Sequence, residues 1–411
     1  MTLLEQYVPI VGKEVVDHLT RLGSALSGKK VVHINSTRAG GGVAEILERM
    51  ILLKQELGID TTWEVINADD VFFMITKKLH NSLQGWQQTF PQNWFKKYTE
   101  VNESNSRRLK ELLQEADVVF IHDPQPLPLI QFFPKRRGKW IWRCHIDLSR
   151  PVRPVWKQLR DLVAMYDASI FSLVNFTQPL PHTMFIIPPS IDPLSEKNRE
   201  LEPGELDKYR EQFGLDPQIP LLVQVSRFDR FKDPIGVIQA YKMVKKYQPV
   251  QLVLAGGEAT DDPEAKNVLA EVREAADGDQ DIHILALPAE ADRTINGLQR
   301  LADIVLQKSI REGFGLTVTE GLWKEKPVIG GNVGGIKLQV INHHTGFLVD
   351  TPEGTALRVR YLLEETALRK EMGRKGRKFV KENFLLTRHL KDYLVMMLGL
   401  LDKQGAQLAN V

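Results

Sequence analysis

Short, continuous apolar runs recur along the chain, separated by longer stretches with apolar positions at helical spacing. The first is Lys30-Val31-Val32-His33-Ile34-Asn35, and others lie at 61–66, 117–123, 140–147 and 167–172. After a break the pattern restarts at 220–226 and continues at 251–257, 281–285, 303–306, 327–331 and 346–350. Runs of this kind fit strands covered on both faces, as in a parallel sheet. Strands alternating with helical stretches predict βαβ units. The first 28 residues read as a helical arm, with Val8, Val11, Val15, Val16, Leu19 and Leu22 on its apolar side. Residues 72–108 interrupt the alternation as a long polar insert. The segment 185–193, Phe-Ile-Ile-Pro-Pro-Ser-Ile-Asp-Pro, reads as a hinge. Two Rossmann-like α/β halves with a cleft between them follow, residues 1–192 and 193–385, with helices from about Pro352 closing the chain.

Composition narrows the class. At 411 residues the chain exceeds what one core usually supports. With 43% hydrophobic and 26% charged residues, it has the make-up of a globular protein. A formal net charge of +2 gives no footprint for nucleic acid, so none is expected as a partner. Cys144 is the single cysteine, which excludes an intrachain disulfide and fits a reducing compartment. The opening MTLLEQYVPIVGKEVVDHL has early acidic residues and no long apolar core, so a cytoplasmic location is expected. In the insert, Trp86, Trp94 and Phe95 lie beside Lys77, Lys78, Lys96 and Lys97. That mixture suits either a membrane surface or a helical hairpin packing on its own sheet. No sustained basic apolar helix is visible, which favours the hairpin and no membrane partner.

Candidate chemistry sits where strands give way to helices. Gly40-Gly41-Gly42 follows the first strand and opens a helix to about Leu57. It is neither a dinucleotide fingerprint nor a P-loop. Arg227 and Lys232 flank a strand-to-helix turn, with Asp233 placed to cap the helix starting at Pro234. A guanidinium fork and an ammonium point charge are complementary tools for a diphosphate; two solvated cations are the plainer reading. The densest stretch is Ser309-Ile310-Arg311-Glu312-Gly313-Phe314-Gly315-Leu316-Thr317-Val318-Thr319-Glu320. Its glycines admit close backbone approach, and a helix from Leu316 to Trp323 would aim free N–H groups at a phosphate. Glu312 lies in the turn before that helix and Glu320 about one turn inside it. Gly334 and Gly335 form a further glycine turn after a short strand. Asp123, His145 and Asp147 close two strands, at the edge where ligands of parallel sheets gather, although a single histidine there is most often structural. The acidic segment 258–264 reads as a solvated loop. No cluster has metal-ligand spacing.

The 309–322 string, with both glutamates and its Gly-Phe-Gly turn, resembles the signature of the retaining nucleotide-sugar glycosyltransferases of family four. The Arg227–Lys232 turn supports the same resemblance. It implies the GT-B architecture: two Rossmann-like domains facing across a cleft, with a C-terminal helix of about 386–411 crossing back to the first. On that pattern 1–192 receives the acceptor and 193–385 the donor. The resemblance places Gly41 and Gly42 near donor phosphate and acceptor, Arg227 and Lys232 on the diphosphate, and His145 against the transferred sugar. Gly313, Phe314, Gly315, Leu316, Gly334 and Gly335 would lie beside sugar and phosphates, with Glu312 on the sugar and Glu320 on the ribose. Asp123 and Asp147 are candidate acceptor contacts. The chain departs from many relatives in carrying Pro189-Ser190 where they have Asn-Gly.

Within the family, VVHINSTRAGGGVAEIL and SIREGFGLTVTEGLWK resemble the trehalose-forming glycosyltransferring synthases. That implies moving glucose from UDP-, ADP- or GDP-glucose to free glucose with retention, giving α,α-trehalose. Competing readings are another acceptor (fructose, a glucan or a lipid), a nucleotide-sugar epimerase, or a non-catalytic binding module. Retention leaves two routes, nucleophilic attack by Glu312 or entry of the acceptor on the leaving-group face, and the second is favoured. No cofactor is required, although magnesium accompanies the diphosphate in some relatives. A homodimer is what the resemblance implies for assembly.

Overall fold

The structure is a computed structural model and describes residues 2–38, 41–257, 263–288 and 290–402, without the side chains of 263–265. Gly40, most of the acidic segment at 258–262, and residues 403–411 of the expected final helix lie outside that description. The chain divides into two compact units: Met1–Pro189 with Leu386–Val411, and Ser190–Leu385.

The first unit holds six parallel strands: β1 Lys30–Asn35, β2 Asp60–Val65, β3 Val118–His122, β4 Lys139–Arg143, β5 Ala168–Phe171 and β6 Thr183–Ile186. Their order is β2-β1-β3-β4-β5-β6, so the winding reverses between β1 and β3. β6 is a correction: the chain pairs with β5 up to and including Phe185 and Ile186, where the segment read as a hinge begins. Its residues are exposed or half-buried along an edge, so no apolar run announces it. The 72–108 insert forms two helices, Asp70–Leu83 and Trp94–Arg108. Phe72 and Tyr98 are fully buried beside Trp140 and Trp142, with Trp94 and Phe95 packed against them. This is the hairpin on its own sheet, and Trp86 alone of the three named aromatics stays outside, at 38% exposed. The N-terminal arm breaks at Gly12, φ +89°, into shorter helices. The helix Leu386–Leu401 belongs to this unit, where Leu390, Tyr393, Leu394 and Met397 are buried. Arg388 Nη2 ties its start to the carbonyls of Pro188 (2.8 Å) and Pro189 (3.1 Å).

The second unit holds β7 Leu221–Val225, β8 Gln251–Gly257, β9 Ile282–Leu287, β10 Ile304–Gln307, β11 Val328–Gly331 and β12 Gly346–Val349. The parallel order β9-β8-β7-β10-β11-β12 is the Rossmann order, with its switch point between β7 and β10. The loops after these two strands carry the Arg227–Lys232 turn and the Glu312 string.

Trp142 anchors the first core. Its ring packs on Trp156 and Phe171, and its Nε1 donates to Asp123 O at 3.0 Å. Trp142→Ala is expected to cost about 3–5 kcal/mol in the first unit. Denaturant unfolding checks this, and a loss below about 1 kcal/mol, typical of a surface change, would contradict the packing.

Candidate active site

In the second unit, the chain leaving β7 is pinned before it reaches Lys232. Asp229 Oδ1 accepts from Phe231 N–H (2.8 Å), and Gln224 Nε2 donates to Lys232 O (2.8 Å). Asp233, at φ +49°, caps the helix Pro234–Lys245 by accepting from Gly236 N–H at 3.1 Å. The buried Lys308 ammonium pairs with the other oxygen of that carboxylate. Ile310 N–H donates to Phe231 O at 2.8 Å, fastening the loop after β10 to the turn after β7.

These ties bring Lys232 Nζ to 2.5 Å from Glu312 Oε2, with side chains only 17% and 9% exposed. The same oxygen accepts from Ser309 Oγ at 3.1 Å. Gln307 Nε2 donates to Ser309 Oγ (3.1 Å), and its Oε1 accepts from Thr317 Oγ1 (3.1 Å). A line of polar contacts thus runs from the helix start to Lys232. Arg227 stands apart: its side chain is 75% exposed, with Nη2 3.1 Å from Asp229 Oδ2.

The helix Leu316–Trp323 begins where the sequence predicts, after Gly315 at φ +83°. Gly335 N–H donates to Gly313 O at 3.0 Å. Gly334 sits at φ +45°, and a Cβ there would fall 1.7 Å from Glu312 O. The second glycine turn therefore packs directly on the backbone that carries Glu312. Gln339 Nε2 donates to Phe314 O (2.6 Å) and Gly335 O (3.2 Å), clamping both turns. Phe314 is buried edge-on against Phe384. Glu320 is 2% exposed, its Oε2 accepting from Gln299 Nε2 at 3.0 Å.

In the first unit, Gly41 at φ +80° precedes the helix opened by Gly42, with open space around it. His145 is half-buried and held twice. Its backbone N–H donates to Asp123 Oδ1 (2.7 Å), and its ring Nε2 lies 2.9 Å from His122 Nδ1. Burial keeps its imidazole pKa well below the ordinary value, with Arg143 and His122 adding to the effect. Asp123 is thereby engaged in shaping its own corner, at φ +60°. Burial pushes its carboxyl up to about 6, against the His145 bond and Arg143. Asp147 Oδ1 accepts from Ser149 N–H at 2.9 Å, a local turn.

Ser309, Gln307 and Gln339 were not candidates from sequence, because uncharged polar residues in a strand end or short helix carry no spacing signal. Among the described residues no group of three or more His, Cys, Asp or Glu converges as a metal site, and no helix is long and apolar enough to cross a membrane. A groove of about 1210 Å³ between β6 and the helix Leu386–Leu401 involves none of the candidate residues.

Residues 33–178 match the family model for the trehalose synthase N-terminal domain, and residues 206–379 match glycosyl transferases group 1. The trehalose synthase of Thermococcus litoralis is 45% identical over 399 residues, covering 96% of each chain. That of Rubrobacter xylanophilus is 42% identical over 406 residues, covering 97% of each. Among solved structures, the UDP-forming α,α-trehalose-phosphate synthase of Burkholderia xenovorans, in complex with glucose-6-phosphate, superposes with a TM-score of 0.72. It is 15% identical and covers 90% of this chain and all of its own, a likeness of GT-B fold.

Gly334→Ala is expected to displace the Glu312 carbonyl and lower turnover by roughly 10²-fold. Steady-state kinetics beside a melting curve checks this, and unchanged turnover would refute the packing. Asp123 gives a pH prediction. Its raised pKa means that its contribution to stability is complete below the ordinary 3.8 and is lost as pH rises through about 6. Asp123→Asn keeps the acceptor for His145 N–H and should abolish that loss. Melting temperatures of both proteins from pH 4 to 7 test it: the variant's relative stability should grow with pH, and parallel curves would count against a buried Asp123.

Proposed function

This chain belongs to the trehalose synthase family of glycosyltransferases, and from that membership we propose that it moves glucose from a nucleoside-diphosphate glucose to free glucose. The anomeric configuration is retained and the product is α,α-trehalose. The observation that carries this reading is the Lys232–Glu312 pair at the switch point of the second sheet, against a glycine turn and a helix start. A sugar diphosphate needs those three things together: a cation for the phosphates, backbone close enough to reach them, and a carboxylate for the sugar.

In the proposed reaction the bond between the anomeric carbon and the diphosphate oxygen breaks, and its electron pair stays with the diphosphate. Lys232 leaves Glu312 for the phosphates. Arg227, exposed on its turn, leaves Asp229 and closes on them as well, and N–H groups at the start of the Leu316–Trp323 helix add positive charge. Glu312, released, orients the sugar hydroxyls and faces the cationic ring. The acceptor hydroxyl enters on the face the diphosphate leaves, and its proton passes to a diphosphate oxygen. Glu320 accepts from the ribose with the oxygen not taken by Gln299. The first unit receives the acceptor, with His145 on the transferred sugar and Gly41 and Gly42 beside the phosphate. A magnesium ion riding on the diphosphate would add to the same charge balance, and chelation tests for it.

Incubation with UDP-glucose or ADP-glucose plus glucose, with NMR of the sugar formed, tests the reading. A non-reducing α,α-linked disaccharide is expected. Nucleotide release without it would retain the transferase and discard glucose as acceptor. Glu312→Ala should lose at least about 10²-fold in turnover while nucleotide affinity changes little. Glu320→Ala should weaken nucleotide binding by roughly 10-fold, the worth of one hydrogen bond to a charged group. Near-normal turnover in the first, or unchanged affinity in the second, would remove those roles.

A further inference from the structure

Behind His145 lies an unbroken line of nitrogen-to-nitrogen contacts. His145 Nε2 is 2.9 Å from His122 Nδ1, His122 Nε2 is 2.9 Å from His33 Nδ1, and His33 Nε2 is 2.8 Å from Lys54 Nζ. Lys54 and His33 are fully buried and His122 is 2% exposed. Only the His145 end is partly open, and its Nδ1 has no protein partner among the described residues.

The geometry restricts the protons. A neutral imidazole has one N–H and one lone-pair nitrogen, so each bridging ring donates to one neighbour and accepts from the other. The chain therefore has two directions only. An ammonium at Lys54 can only donate. It gives a proton to His33 Nε2, which places the His33 proton on Nδ1, the His122 proton on Nδ1, and leaves His145 accepting at Nε2 with its own proton on Nδ1. A neutral amine at Lys54 can accept, which permits the opposite direction.

We propose that Lys54, His33 and His122 are positioning residues that set which nitrogen of His145 carries its proton, so that charged Lys54 makes His145 Nδ1 a hydrogen-bond donor toward the sugar and neutral Lys54 lets it become an acceptor. The conversion balances by three hops. One proton leaves His145 Nδ1 for solvent, His122 passes its proton to His145 Nε2, His33 passes its proton to His122 Nε2, and Lys54 passes one to His33 Nε2 and becomes an amine. The proposal rests on the reading above only in assigning the sugar to His145.

The surroundings support neutral rings and a titrating lysine. Lys54, on the helix Gly42–Glu56, faces His33 and the rings of Phe120 (4.8 Å) and Tyr393 (5.0 Å), and burial lowers its pKa to about 7. From β3 comes His122, lowered to about 3 by burial, Arg143 and Lys54. His33 is held well below its ordinary value by burial, Lys54, His122 and His389. β4 contributes Arg143, fully buried, and Cys144 follows it; the helix Leu386–Leu401 contributes Arg388, His389 and Tyr393. Carboxylates meet this layer at its margins, as Asp123 near Arg143, Asp147 near Cys144 and Asp392 on Arg388.

Nitrogen-15 NMR of histidine-labelled protein from pH 5.5 to 8.5, without substrate, reads each tautomer directly. Protonated Nδ1 on His33, His122 and His145 is expected at low pH, changing together to Nε2 with one midpoint near 7. Independent tautomers, or Nε2–H on His145 at low pH, would overturn the proposal even if the protein makes trehalose. Conversely, failure to make trehalose would leave the tautomer result standing. Lys54→Met should remove the shared step and lower kcat by roughly 10²-fold, with the donor KM nearly unchanged. Lys54→Arg, always charged, should keep Nδ1–H at every pH and remove the alkaline change. A folded Lys54→Met with the parent's kcat and pH profile would refute the positioning role.

Discussion

Both sheets are parallel throughout, so every strand of a unit delivers its last residue to the same edge. In the second unit the order reverses between β7 and β10, and the chains leaving those two strands diverge to opposite faces. A crevice opens at such a point because no helix can cover both exits. The Lys232–Glu312 contact is a product of that constraint. Lys232 comes from the exit of β7 and Glu312 from the exit of β10, and Ile310 N–H on Phe231 O holds the two exits together.

Holding an ion pair in so closed a place is not a stabilising choice in itself. Desolvation offsets much of the attraction, while removing one partner of a buried pair costs about 3–5 kcal/mol because the other is stranded. The surrounding backbone is also in conformations that few residues adopt, with Asp233 at φ +49°, Gly315 at φ +83° and Gly334 at φ +45°. Glycine adopts them freely, while at Asp233 they carry strain, and such a backbone persists when neighbouring contacts over-determine it. Here Lys308 on Asp233, Ser309 on Glu312 and Gln339 on both glycine turns do so. The result is a carboxylate and an ammonium already in position, which lowers the reorganisation required when charge develops.

What the chain declares in advance follows local rules. Asp233 before Pro234 is a cap by chemistry alone, and the structure has that cap; Leu316 to Trp323 is a helix bounded by glycine and by its own pattern, and it begins and ends there. The strand runs were legible wherever both faces are covered. β6 was not, because an edge strand with exposed Thr183, Met184 and Ile186 has no apolar run to show. Within the site, charged residues and glycines stood out, while Ser309, Gln307 and Gln339 did not: their importance comes from partners distant in sequence or from a turn geometry that spacing does not encode. Phe314 was visible as part of a turn, but its burial against Phe384 depends on a segment some 70 residues later.

The polar layer beneath β1, β3 and β4 was the least legible feature, and its energetics argue that it is kept for a reason other than stability. His33 and His122 appear in sequence only as interruptions of apolar strands, and Lys54 as an ordinary helix lysine. Folded, they sit with Arg143 among the most buried groups of the unit. Arg143 Nη2 reaches Ser172 Oγ at 3.4 Å, while its Nε and Nη1 meet no protein acceptor among the described residues. Apolar side chains of similar volume in place of such groups are often neutral or stabilising by about 1–4 kcal/mol. A core selected for stability alone would drift toward leucine and phenylalanine here, as it has on the opposite face of the same sheet around Trp140, Trp142 and Tyr98. Two faces of one sheet share the same strands and the same folding requirement, so their difference isolates what the polar face does beyond folding. It orders protons along a line that ends at His145.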